Sequence, residues 1–249
     1  MNRNHLKIIA CVSMLCDHMG YLLFPQAVWL RYIGRLAMPL FAFFIGEGCR
    51  YTHDRKKYVL QITGLVAICQ AAYFVAGLLE QGRLTASSGC WYFNILFTFA
   101  LACIACFLWL DGMAFARQGE TKKAAGKFAW LAAYLAALGL FTWFAWRQRR
   151  YAGWSLYVDY GLCGVLLPLS TVLFDKKAPK LVSFTAALLV YCFVFAGNLP
   201  YVWFSFLCLP LLLCYNGQGG SKKLKYLFYV FYPAHLGLLS LLARLFPPR

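Results

Sequence analysis

Apolar blocks and short polar connectors alternate along the whole chain, and the blocks fall at 6–24, 27–49, 58–79, 91–110, 127–146, 152–174, 181–197, 199–215 and 226–246. A helix needs about 20 mainly apolar residues to cross the hydrocarbon core of a bilayer, so each block has the length of a span. The pattern predicts an all-α fold: a polytopic transmembrane helical bundle of about nine spans, within eight to ten, forming a single domain over 1–249. No tract alternates polar and apolar residues with the period of two that a transmembrane β-barrel requires. No internal repeat is visible either, which weighs against the repeat-built secondary transporters.

The connectors "RYTHDRKK", "DGMAFARQGETKKAAGK", "DKKAPK" and "NGQGGSKKLK" are basic, and they alternate with the nearly neutral "PQ" and "EQGRLTASSG". Basic loops stay in the cytoplasm, so this alternation predicts a cytoplasmic N-terminus and an outward C-terminus in a bacterial cytoplasmic (inner) membrane. One connector breaks the rule. "WRQRRY", with Arg147, Arg149 and Arg150, falls on the outer side. It is either a misplaced span or a functional basic rim, and the regularity of the other connectors favours the rim.

Composition agrees with this picture. The 249 residues are 62% hydrophobic and 18% aromatic, more apolar surface than a soluble domain of this length can hide. A net charge of +16 would suggest nucleic acid, but the basic residues sit in the connectors, so no nucleic-acid partner is expected. Of the eleven cysteines, Cys11, Cys16, Cys69, Cys103, Cys106, Cys163, Cys192, Cys208 and Cys214 all lie inside apolar blocks, where they act as small hydrophobes. Cys103 and Cys106 form a C-x-x-C without a second pair, so no metal is expected. The first block is broken by Asp17 and His18 and has no small-residue cleavage site, so it is expected to remain as a span.

Candidate chemistry begins with the residues a span should not contain. An ionisable side chain at the bilayer centre costs roughly 2.5–3.5 kcal/mol on insertion scales, and such residues face one another or a wet cavity. This chain places Asp17, His18, Arg31, Arg35, Asp159 and His235 in apolar blocks. Read by depth, they gather in the outer half of the bundle, together with Asn94 and Thr98 of the fourth span and Tyr232 beside His235. Pro233 is expected to kink the last span there. Asp17 and His18 point about 100° apart on a helix and do not form a dyad. The short connector makes the second span antiparallel to the first, so Asp17 is expected to pair with an arginine of that span, most simply Arg35. His18 then faces a cavity, and Asp159 is the carboxylate expected to orient a histidine. The purely structural reading is that these charges fix helix packing.

Lys7 precedes His18 by eleven residues, three helical turns, which places both on one stripe about 16–17 Å apart along the axis. A basic group at the cytoplasmic mouth and a histidine at depth suit a long ligand with an anionic head and a reactive tail. Coenzyme A has that form, and Arg50, Arg55, Lys56 and Lys57 lie on the same side to hold its phosphates. Alone, Lys7 reads as a snorkelling anchor.

The segments "LKIIACVSMLCDHMG", "RYIGRLAMPLFAFFIGEGCRYTHDRKKY", "DYGLCGVLL", "LLLCYNGQGG" and "YLFYVFYPAHLGLL" resemble the successive motifs of the TraX family, from Leu6 to about Leu239. That resemblance implies an integral-membrane protein associated with N-terminal acetylation of pilin. The family is in turn similar to a wider superfamily of membrane acyltransferases, in which a first-span basic residue and a histidine about eleven positions later are associated with acyl transfer. Lys7 and His18 match that pattern, with Lys where Arg is usual.

The expected function is therefore acyl transfer from cytoplasmic acyl-CoA, with acetyl-CoA as donor, to an acceptor reached from the outer face or the bilayer, such as the terminal amine of a pilin. His18 would be the general base or carry a transient acyl group, and Arg31, Arg35 and Asn94 would stabilise the oxyanion. O-acylation of an envelope glycan hydroxyl, a small-anion transporter using the same buried charges, and a non-catalytic assembly factor are the alternatives.

Overall fold

The computed structural model describes residues 1–81, 92–151, 157–197, 200–220 and 224–246, where the regular structure is helical apart from one pair of two-residue strands. They divide into two compact units, one made of Met1–Phe44 with Thr185–Arg249 and the other of Ile45–Phe184.

The first unit opens with α1 (Arg3–Leu22), whose first turn is capped by the Asn2 side chain accepting the His5 amide at 3.1 Å. The backbone of Arg3 also donates to the Gln218 carbonyl at 3.2 Å, so the glycine-rich "NGQGG" turn is tied to the start of this helix. Next come α2 (Val28–Gly34) and the start of α3 (Ala37–Tyr51), whose residues from Ile45 onward belong to the second unit. One span was expected over 27–49, and the break at Arg35 and Leu36 has a local cause. The Arg35 amide bonds three residues back, to the Tyr32 carbonyl at 3.3 Å. The Arg31 carbonyl instead receives Arg35 Nε, also at 3.3 Å. The Arg35 carbonyl accepts the Ser205 hydroxyl at 3.2 Å. Polar side chains thus satisfy backbone groups that the helical ladder releases at this depth. Pro39 falls in the first turn of α3, where a missing amide hydrogen costs little.

The rest of this unit is a 3-10 segment (Pro200–Leu207), a short helix, α9 (Cys208–Leu213), and α10 (Leu224–Leu245), which contains Pro233. The eighth expected span is therefore half 3-10 in form. Helix α1 packs on α2 and α10, and α2 packs on the 3-10 segment.

In the second unit α5 (Ile95–Arg117) is central and packs against α4 (Arg55–Gln81), α6 (Thr121–Tyr151) and α7 (Gly161–Val172). Ala102, Cys103, Ala105 and Cys106 are fully buried, forming the small-residue face on which helices approach closely. Strands β1 (Tyr92–Phe93) and β2 (Tyr157–Val158) pair in parallel at the entries to α5 and α7. Tyr160 then takes a left-handed conformation, φ 59°, unusual for an aromatic residue, and turns the chain into α7. Helix α7 has 12 residues against the 23 expected for a span over 152–174, whose first five residues lie outside the described ones. Helix α8 (Lys177–Phe195) follows α7, and its residues from Thr185 onward belong to the first unit.

Helix α6 corrects the reading of "WRQRRY". Arg147, Arg149 and Arg150 belong to a 31-residue helix, not to a loop. At 1.5 Å per residue it is about 46 Å long, more than a hydrocarbon core of about 30 Å requires. Among the described residues four segments are long and apolar enough to cross a membrane: Val28–Tyr51, Ile95–Arg117, Thr121–Arg147 and Lys177–Phe195.

Candidate functional site

In the first unit the structure brings together Asp17 and His18 of α1, Arg31 of α2, Arg35 at the break, and Tyr232 and His235 of α10. Asp17 is an ion-pair partner, as expected, but of two arginines. Its Oδ2 accepts from Arg31 Nη1 at 3.3 Å, its Oδ1 accepts from Arg35 Nη2, and its backbone carbonyl accepts from Arg31 Nη1 at 3.2 Å. The Tyr201 ring lies 5.8 Å from the Arg31 guanidinium and 5.4 Å from that of Arg35, within cation–π range. Arg35 is 5% exposed, so its charge depends on Asp17 for compensation.

Glycines let α1 and α2 approach this closely. A Cβ at Gly34 would collide with the Asp17 side chain, and one at Gly20 would come within 2.9 Å of Leu30 Cβ. Small residues on facing helices are the usual means of close packing in membranes.

His18 and Asp17 diverge around α1, as the helical angle requires. His18 Nδ1 lies 2.8 Å from His235 Nε2, with ring centroids 5.0 Å apart. His235 Nδ1 in turn donates to the Phe231 carbonyl at 2.7 Å. The His235 ring stacks on Phe231 at 4.8 Å and meets Tyr232 edge-on at 5.7 Å, which fixes its plane. His235 is 5% exposed. The group bonded to His18 is therefore this second histidine. The sequence gives Tyr201, Ser205 and the Phe231 carbonyl no signal of their own, because each acts through distant residues.

Asp159, Asn94 and Thr98 lie in the second unit. There the Asp159 carbonyl accepts the Thr98 hydroxyl, and the Asp159 amide donates to the Phe93 carbonyl at 2.9 Å. Gly164 makes room for Thr98, since a Cβ there would lie 2.6 Å from Thr98 Cγ2. Asn94 caps α5 by accepting the Leu96 amide at 3.0 Å. Its Nδ2 is buried and has no hydrogen-bond partner among the described residues.

The basic residues divide differently from expectation. Arg50 pairs with Asp175 and donates to the Val172 and Phe174 carbonyls at 2.6 and 3.1 Å. Arg117 pairs with the same Asp175 at 2.6 Å. Arg55 and Lys127 both pair with Asp111, the latter at 3.1 Å. Arg50 and Arg55 are thus engaged with carboxylates, whereas Lys56 and Lys57 are exposed. Lys7 is half-buried on α1. Arg147 lies over the Trp143 ring at 5.7 Å. A further pair escaped sequence reasoning: Lys180 and Glu47, 5% and 3% exposed, bond at 2.5 Å.

Helices long and apolar enough to span, a doubly paired, half-buried aspartate and a histidine pair among aromatic rings define a helical membrane protein with a polar site inside its apolar frame. The chain belongs to the TraX family, whose model, described as TraX protein, matches residues 2–243. It is 28% identical over 255 residues to the "Probable fimbrial assembly protein FimC, serogroup H1" of Dichelobacter nodosus, covering 94% of this chain and 92% of that one. It is 34% identical over 102 residues to "Protein TraX" of Escherichia coli, covering 40% of this chain and 37% of that one. No solved structure matches the chain.

Proposed function

We propose that this protein is a membrane-embedded acyltransferase that moves an acyl group, acetyl in the simplest case, from acyl-CoA to an amine. The observation that carries the reading is the half-buried His18 held through Nδ1 by His235, which leaves Nε2 as the nitrogen able to exchange a proton with a substrate. The acceptor nitrogen attacks the thioester carbonyl. The new C–N bond forms, the C–S bond breaks, and the proton passes through His18 Nε2 to the departing thiolate. Arg31 and Arg35, already paired to Asp17, supply positive potential on the same helical hairpin. Lys7, three turns from His18 on α1, attracts the phosphate end of the donor. In this reading the chain crosses the bacterial inner membrane nine times from a cytoplasmic N-terminus. Its acceptor is the terminal amine of a pilin or another fimbrial subunit, in keeping with the name of the Dichelobacter relative.

The test is to give purified protein labelled acetyl-CoA with a short peptide bearing a free N-terminal amine. Label transfer is expected from the wild type and is lost in a folded His18→Ala protein. Wild-type turnover by His18→Ala removes His18 from the chemistry. Anion flux through liposomes without label transfer makes the protein a transporter instead. Neither transfer nor flux leaves an assembly factor.

A further inference from the structure

We infer that His235 is a positioning residue that fixes the tautomer of His18, so that Nδ1 carries the hydrogen and Nε2 keeps the lone pair. A carbonyl oxygen can only accept, so the hydrogen between His235 and Phe231 belongs to His235 Nδ1. A neutral His235 then presents a bare Nε2, and the 2.8 Å contact requires the hydrogen to sit on His18 Nδ1. The opposite assignment needs His235 to be an imidazolium. Among the described residues no carboxylate is bonded to either ring, and both Asp17 oxygens are occupied by Arg31 and Arg35. A resident charge on a ring that is 5% exposed would go uncompensated, which disfavours that state.

The arrangement also has a place for a proton once one arrives. When His18 Nε2 takes a proton, the hydrogen on Nδ1 already points at a basic nitrogen, so the positive charge is shared between the two rings while the Phe231 carbonyl accepts the hydrogen bond behind them. The role that a carboxylate commonly plays behind a catalytic histidine is thus given to a second imidazole and a main-chain oxygen. Phe231 and Tyr232 hold the His235 plane, and the helical spacing of Phe231 and His235 on α10 delivers the carbonyl. The tautomer follows from the bonds themselves, and its catalytic consequence rests on the acyl-transfer reading above.

The chain has four histidines, and His5 and His53 are exposed, so nitrogen-15 labelling of histidine in the full-length protein gives an assignable spectrum. Nitrogens with a hydrogen and with a lone pair are well separated there. We expect His18 in the wild type to show hydrogen on Nδ1 alone. His235→Gln keeps an oxygen acceptor near the position of Nε2 and should preserve that signature. His235→Phe keeps the ring and its packing but removes the acceptor, and should release His18 to a mixture of tautomers. Acyl transfer, if the protein performs it, should fall by about 10²-fold or more in His235→Phe and largely survive in His235→Gln. A His18 signature unchanged in His235→Phe, or a wild-type His18 with hydrogen on Nε2, overturns the inference. A tautomer shift in a protein that transfers no acyl group sustains the positioning and rejects the acyltransferase reading instead.

Discussion

Gly34 presents its bare Cα to the Asp17 side chain, so the ion-paired carboxylate sits where any larger residue on α2 would put a methyl group. The charge cluster and the helix contact are therefore one construction. Gly34→Ala should force the helices apart and cost about 1–3 kcal/mol, the usual penalty of overpacking. Asp17→Asn should cost more, approaching the roughly 3–5 kcal/mol of a broken buried pair, because both arginines lose their counter-charge. Melting temperatures in detergent measure both. If Asp17→Asn melts like the wild type, the aspartate is not what holds the arginines.

The Asp17–Arg35 pair was legible in the sequence, because a charge inside an apolar helix must find a partner and a short connector leaves one neighbouring helix to supply it. The His18–His235 contact was not, since 217 residues separate the partners and neither has a local signature. Length and hydrophobicity located most helices, but the break at Arg35 depends on where a guanidinium points, which no periodicity records. The expectation that Arg50 and Arg55 face phosphates counted only the positive charge of the connectors. Asp111 and Asp175, which open two of the other basic connectors, pair with these arginines, a contact that charge counting does not reveal.

Ser205 tests the origin of the helix break. Its hydroxyl is the partner of the Arg35 carbonyl, and both residues are buried. Ser205→Ala leaves that carbonyl with one partner fewer at a cost of about 1–3 kcal/mol, the price of an unmet buried group. Ser205→Thr keeps the hydroxyl and should recover most of the loss. Equal melting of Ser205→Ala and wild type would mean that the released carbonyl is satisfied in another way.

Glu47 and Lys180 make the opposite kind of prediction. Removing one partner, as in Glu47→Gln, leaves a buried ammonium alone and should destabilise by about 3–5 kcal/mol. Replacing both, with Glu47→Leu and Lys180→Met together, should restore stability to near the wild type, because the desolvation cost disappears with the charges. A double-mutant cycle on thermal melting reads the coupling. A double variant no better than Glu47→Gln would show that these residues act separately.

The basic residues around the α3–α4 turn should separate into two functional groups. Arg50 is half-buried and bonded to Asp175 and to the carbonyls of Val172, which ends α7, and of Phe174, so its guanidinium closes a structural network. Lys56 and Lys57 project into solvent at the start of α4. If acyl-CoA approaches this end of the unit, exposed ammonium groups attract its phosphates without touching the reacting atoms. Lys56→Gln with Lys57→Gln should then raise KM for acyl-CoA several-fold, more at low salt than at high, with kcat unchanged, since only uniform binding is lost. Arg50→Gln should instead lower the melting temperature and reduce kcat and apparent expression together, with no added salt dependence in KM. Initial rates across a salt series, with melting curves for each variant, separate the two patterns. A KM unaltered in the lysine pair would remove this turn from the donor path and leave Lys7 as the basic residue to test next.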